Sequence, residues 1–177
     1  MKPSTIFAAV GASLIAATSA FADSNSPIPS SSDAFTIYKE MDLWTVYADA
    51  STKTCLAESV DDVGNVFQMG LTKDHQYGYI GVFTQADVKI PASQEVAVIV
   101  DGNAFVGKSY GIKSKKLRGD YTGGYALTQS PEFVDAIANG QVLIAFPEME
   151  GLFVVDLTGT KDAIEATRAC NKELASS

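Results

Sequence analysis

The sequence predicts a mainly β fold, an antiparallel sheet arranged as a β-sandwich or barrel. A short internal helix and a C-terminal helix, disulfide-bonded to a strand, complete it. Three observations carry this prediction. From Phe35 onward the pattern is mostly strand-like, with short β-prone runs between polar or glycine-containing turns. Two segments carry helix-starting signals. The chain holds two cysteines, which permit a single intramolecular pairing.

Taken in order, the first β-prone runs are Leu43–Tyr47 and Thr54–Ala57, around the polar turn 48–53. Val66–Leu71 and Tyr77–Phe83 follow, separated by Thr72-Lys73-Asp74-His75-Gln76. Glu95–Val100 and Ala104–Val106 flank Asp101-Gly102-Asn103, and Asp-Gly supplies the positive φ angles that a tight hairpin requires. Gln141–Phe146 and Leu152–Leu157 read as late core strands. The first helix starts at the cap residue Ser130, with Pro131 at the first helical position and Glu132 in the first turn. It continues through Phe133–Ala138 and stops at Asn139-Gly140. The second spans about Thr160 to Leu174, with Ala163, Ala166, Thr167, Cys170 and Leu174 on one face. Asp162 and Glu165 favour its N-terminal end. Cys170 therefore faces inward, toward Cys55 on an early strand.

The N-terminus reads as an address. Met1-Lys2 is followed by the apolar run Ile6–Ala17 and by Ala20-Phe21-Ala22, the small-x-small pattern read by signal peptidase. Residues 1–22 are thus expected to be a signal peptide. Residues 23–33, rich in Ser and Pro, are expected to be a flexible leader, and residues 34–177 a single β-rich domain ordered from about Ala34. Loss of Lys2 with the signal moves the formal charge from −8 to −9. No segment after residue 22 is apolar enough to span a bilayer, so the expected location is the periplasm or the external medium. An even cysteine count in such a compartment reads as a Cys55–Cys170 bridge.

Composition narrows the chemistry. At 46% hydrophobic, 19% charged and a mean hydropathy of +0.09, the chain is globular rather than disordered or fibrous. Its acidity, with a pI near 4.5, argues against a nucleic-acid partner. One histidine and two cysteines exclude multi-His metal sites and Cys₄ or Cys₂His₂ zinc modules. No G-x-S-x-G elbow or H-E-x-x-H pair is present, and no metal or other cofactor is expected. His75, beside Asp74, is the sole imidazole and reads as a turn residue; Asp61-Asp62 and Glu148/Glu150 likewise read as turn acids.

The unevenness lies in the basic residues. Lys108, Lys113, Lys115, Lys116 and Arg118 fall within eleven positions that hold no acid, with Tyr110 among them and Tyr121 and Tyr125 just beyond. Such a patch on an acidic protein suits an anionic envelope ligand or an acidic envelope protein. The opposing reading is a solvated sheet edge whose lysines guard against aggregation. Arg118-Gly119-Asp120 is an integrin-type tripeptide, too short to carry a reading. The stretch GDYTGGY, residues 119–125, reads as a glycine turn with aromatic packing.

Trp44-Thr45-Val46-Tyr47 leading to Cys55, with Leu157-Thr158-Gly159-Thr160-Lys161-Asp162-Ala163-Ile164, resembles the invasion-associated locus B type of small exported protein. The resemblance implies a β-rich, disulfide-tied protein secreted or periplasmic in Gram-negative bacteria. It spans about a quarter of the chain after residue 22. That family's further cysteine after the tryptophan and its mid-chain cysteine pair are missing here, so neither an invasion role nor any functional residue is carried over. The resulting expectation is an exported, non-enzymatic binding protein of the bacterial envelope. The alternatives are an acidic inhibitor of a cationic envelope enzyme such as lysozyme, or a carboxylate-dependent hydrolase.

Overall fold

The computed structural model describes residues 27–30, 33–86, 95–112, 121–146 and 153–176. Five strands come first: β1 Thr36–Glu40, β2 Thr45–Asp49, β3 Thr54–Val60, β4 Val66–Leu71 and β5 Gly78–Thr84. They are followed by β6 Glu95–Val100, β7 Asn103–Ile112 and β8 Thr122–Thr128, then helix α1 Pro131–Asn139. β9 Val142–Ala145, β10 Phe153–Asp156 and helix α2 Thr160–Ser176 complete the chain. All ten strands lie in one antiparallel sheet, ordered β1-β2-β3-β4-β5-β8-β7-β6-β9-β10. The expected mainly β architecture is present as a single sheet with β1 and β10 at its edges.

Strand alternation sorts side chains onto two faces, because successive residues point to opposite sides. Val46, Cys55, Ala57, Phe67, Met69, Ile80, Val82, Val96, Val98 and Val100 join one core cluster, which α1 and α2 cover with Phe133, Ile137, Ala163, Ala166 and Cys170. Each fully buried Val or Phe of this kind stabilises the fold by about 1.5–3 kcal/mol. The intervening residues Leu56, Tyr79, Phe83 and Tyr125 build a second cluster on the opposite face.

The helices form where their caps dictate. Ser130 is extended (φ −83°) and its Oγ accepts from Phe133 N at 3.1 Å, with Pro131 opening α1. Gly140 ends the helix without a left-handed turn, at φ −78°. Its N–H donates to Ala136 O at 2.7 Å, and a Cβ there would meet that oxygen and Val100 Cγ1, each at 2.7 Å. On α2 the predicted inward face is largely correct: Ala163, Ala166, Thr167 and Cys170 are buried, and Leu174 packs partly buried at its end.

Two ties anchor α2 to the opposite half of the sheet. The Cys55–Cys170 disulfide joins it to β3, with the Cα atoms 6.1 Å apart. Beside the disulfide, Asn171 Oδ1 accepts from Cys55 N at 2.9 Å. At the start of α2, Trp44 is 2% exposed and its Nε1 donates to Thr158 O at 2.9 Å, while its ring meets Phe67 edge-on at 5.8 Å. The turn below it passes through Gly159 at φ +77°, a left-handed conformation that glycine adopts without steric cost.

Several elements differ from expectation. β1 is a strand although all five of its residues are exposed, Ile37 at 58%. Its pairing with β2 shifts register between Ile37 and Lys39, so it lacks the alternation that marks strands in sequence. β7 runs well beyond Val106, to Ile112. Residues 122–125, expected in a turn, belong to β8 between β5 and β7. Gly123 fits in β8 because the Phe83 ring lies opposite it, and the same arrangement recurs on the neighbouring strands, where Gly81 of β5 faces Tyr125 and Gly70 of β4 faces Tyr79. A Cβ on Gly81 would meet the Tyr125 ring at 2.5 Å, and one on Gly123 would run into Val82 O.

The leader also differs. Pro27 O accepts from Lys73 N at 2.8 Å, and Ile28 is 5% exposed in the second cluster. Lys73 Nζ pairs with Asp33 Oδ1 at 2.8 Å. The described part of the leader is therefore docked on the sheet, ahead of Ala34. Residues 1–22 lie outside the described residues.

Two stability predictions follow from this packing. Replacing both cysteines by serine should lower unfolding free energy by about 4–5 kcal/mol, the chain-entropy value for the 115-residue separation; urea titration of the variant beside the native chain measures it. Gly123→Ala should cost about 1–3 kcal/mol or more, because a backbone carbonyl blocks the added methyl. An unchanged denaturation midpoint would show that β5 and β8 yield there without cost.

Candidate functional site

The anticipated basic surface is only partly within the described residues. Lys108 is exposed on β7, across from Glu95 of β6 and Leu127 of β8. Lys113, Lys115, Lys116 and Arg118, with the Arg118-Gly119-Asp120 tripeptide, lie outside the described residues. Tyr121 is half-buried against the second cluster. Tyr125 corrects the expectation: it is 0% exposed and cannot contact a partner at the surface. Its parity on β8 places the ring over Gly81, between Tyr79 and Phe83, each meeting it edge-on at 5.1 Å.

The Tyr125 hydroxyl is satisfied internally. It donates to Gln68 Oε1 at 2.7 Å, and Gln68 Nε2 donates to Glu58 Oε2 at 2.7 Å. Burial pushes the phenols of Tyr79 and Tyr125 well above the usual range, because an ionised phenolate would be stripped of water there. Nearby carboxylates, Glu58 and Asp33, push in the same direction.

The turn residues behave as turn residues. His75 is exposed at φ +59°, with its N–H donating to Thr72 O at 2.8 Å. Asp74 accepts from Thr72 Oγ1 at 2.6 Å and from Gln76 N at 3.1 Å, bonds that hold its carboxyl below the usual range. Asp61 closes the β3–β4 turn by accepting from Val63 N at 3.0 Å and Asn65 N at 2.8 Å. Glu148 and Glu150 lie outside the described residues. Among the described residues, no three His, Cys, Asp or Glu side chains converge as metal ligands. No helix there is long and apolar enough to cross a membrane.

A second place was not anticipated. α1 and α2 pack against each other, and between them a cleft of about 210 Å³ opens, with residues of β4, β5 and the end of β8 lining its floor. Met69 and Ile80 line it from the sheet, Phe133 and Ile137 from α1, and Ile164, Thr167, Arg168 and Asn171 from α2. The α2 residues have the i, i+3, i+4, i+7 spacing of one helical face. Their spacing and α1 itself were visible in the sequence, but the placement of the two helices against each other was not. Thr167 Oγ1 is committed to Ala163 O at 2.8 Å and Asn171 Oδ1 to Cys55 N.

Family models, curated proteins and solved structures were all compared with the chain, and none matches.

The buried tyrosines set a pH dependence. The folded state holds the protons of Tyr79 and Tyr125, while in the unfolded chain the same groups release them near the ordinary value of 10. Their contribution is present in full below that value and is lost as pH rises above it, because the unfolded state then binds fewer protons. Absorbance titration should show exposed phenols ionising first and these two only as the protein unfolds. Ionisation of all seven tyrosines in the intact fold near pH 10 would contradict the packing.

Proposed function

We propose that this chain is an exported, non-enzymatic interaction protein that presents its basic segment, Lys108 to Arg118, to an acidic envelope protein or anionic envelope ligand. The observation that carries the reading is the Cys55–Cys170 bridge. A covalent clamp between an early strand and the last helix fits an oxidising compartment, where such bonds persist. The signal-like residues 1–22 and the resemblance to invasion-associated locus B proteins support the same compartment. A rigid sheet with exposed Lys108 on β7 suits display of the segment that follows it. Tyr125 is buried and takes no part in this reading, which rests on Lys108, Lys113, Lys115, Lys116 and Arg118.

The test reverses charge at Lys113, Lys115 and Lys116 to glutamate. Stability should move by no more than about 0.5 kcal/mol per substitution, as for surface substitutions generally. Cross-linked capture from envelope extract at low salt should lose the partner that the unaltered chain retains. Equal capture by both forms would remove the basic segment from the function.

A further inference from the structure

The α1–α2 cleft is not lined by Lys108 and is chemically two-sided. Its interior is apolar: Met69 and Ile80 are 6% and 2% exposed, and Phe133 and Ile137 are 4% and 3% exposed. Ile164, partly buried, extends the same apolar lining along α2. One turn further, at i+4, stands the exposed Arg168. Glu165 lies three residues before Arg168, a spacing at which helix ion pairs form, yet the ion pair among the described residues is Lys73–Asp33. Arg168 thus has no acidic partner among the described residues and stands beside an apolar cleft, on a protein whose formal charge is −8.

We propose that this cleft binds a short-chain aliphatic carboxylate, with Arg168 holding the carboxylate and Met69, Ile80, Phe133, Ile137 and Ile164 enclosing the chain. The guanidinium fork matches a carboxylate through two parallel N–H···O bonds, which a lysine ammonium does not reproduce. A largely apolar interior with a few placed polar groups is the usual composition of a small-molecule site, and here Thr167 and Asn171 are already committed internally, leaving Arg168. At about 210 Å³ the cleft is smaller than the ~300–1,000 Å³ of drug-sized sites, which limits the ligand to a short chain. Charge selects the acid over the alcohol, and the apolar lining selects a chain over acetate.

Octanoate is the probe, titrated into the oxidised protein while methyl resonances of Met69, Ile80, Ile137 and Ile164 are followed by NMR. Saturable shifts confined to these methyls are expected. Arg168→Gln should weaken binding about tenfold, equivalent to ~1.4 kcal/mol. Arg168→Lys should recover only part of it, and Lys39→Gln on β1 should leave it unchanged. Acetate and octan-1-ol should each bind more weakly than octanoate. The proposal is overturned if octanoate produces no saturable shift. It is equally overturned if Arg168→Gln binds as tightly as the native chain, or if acetate or the alcohol matches octanoate. Arg168 is exposed, so its replacements retain the fold, which the unchanged methyl spectrum of the free variants verifies.

Discussion

The attachment of α2 to β3 is the constraint on which the rest of the molecule depends. The Cys55–Cys170 bond and the Asn171–Cys55 hydrogen bond act on adjacent helix residues and a single strand position, so they fix the rotation of α2 as well as its distance from the sheet. With that rotation set, Ala163, Ala166 and Thr167 are turned toward the core and Ile164 and Arg168 toward α1. Small residues on the inner face let the helix sit close to the strands. The Trp44 hydrogen bond at Thr158 then secures the other end, bringing the lead-in to β2 against the β10–α2 corner.

The opposite face of the sheet is stabilised differently. There the cross-strand unit is an aromatic ring laid over a glycine, repeated at Tyr79 and Gly70, Tyr125 and Gly81, and Phe83 and Gly123. Glycine is a poor strand residue because it loses more conformational freedom on ordering than any other. The rings compensate by covering the bare backbone and burying their own area, and the edge-on contacts of Tyr125 with Tyr79 and Phe83 add about 0.5–1.5 kcal/mol each. Ile28 closes over this cluster, which gives the start of the described chain a packing role.

How much of this was legible in the sequence depended on whether the signal was local. α1 was readable almost to the residue because Ser130, Pro131 and Gly140 act on their immediate neighbours. The Asp101-Gly102 hairpin was equally clear, its two residues at φ 46° and 85°. The disulfide followed from having two cysteines. β8 was misread because Gly123 and Gly124 weigh toward a turn, and the Phe83 ring that reverses that preference lies far away in sequence. β1 lay within the strand-like pattern from Phe35 onward but was not delimited, because its five residues are all exposed and mark no buried face. Tyr125 looked like a contact residue because composition does not reveal strand parity, and the cleft was hidden because two helices must be placed before a gap between them exists.

The span of the covalent bond also orders events in time. A polypeptide is made N-terminus first, so the thiol of Cys55 is present long before its partner, which follows after 115 further positions. No other cysteine in the chain is available to it meanwhile. Oxidation can therefore join the chain to itself only once all ten described strands have been delivered, so the bond closes late rather than directing the early steps.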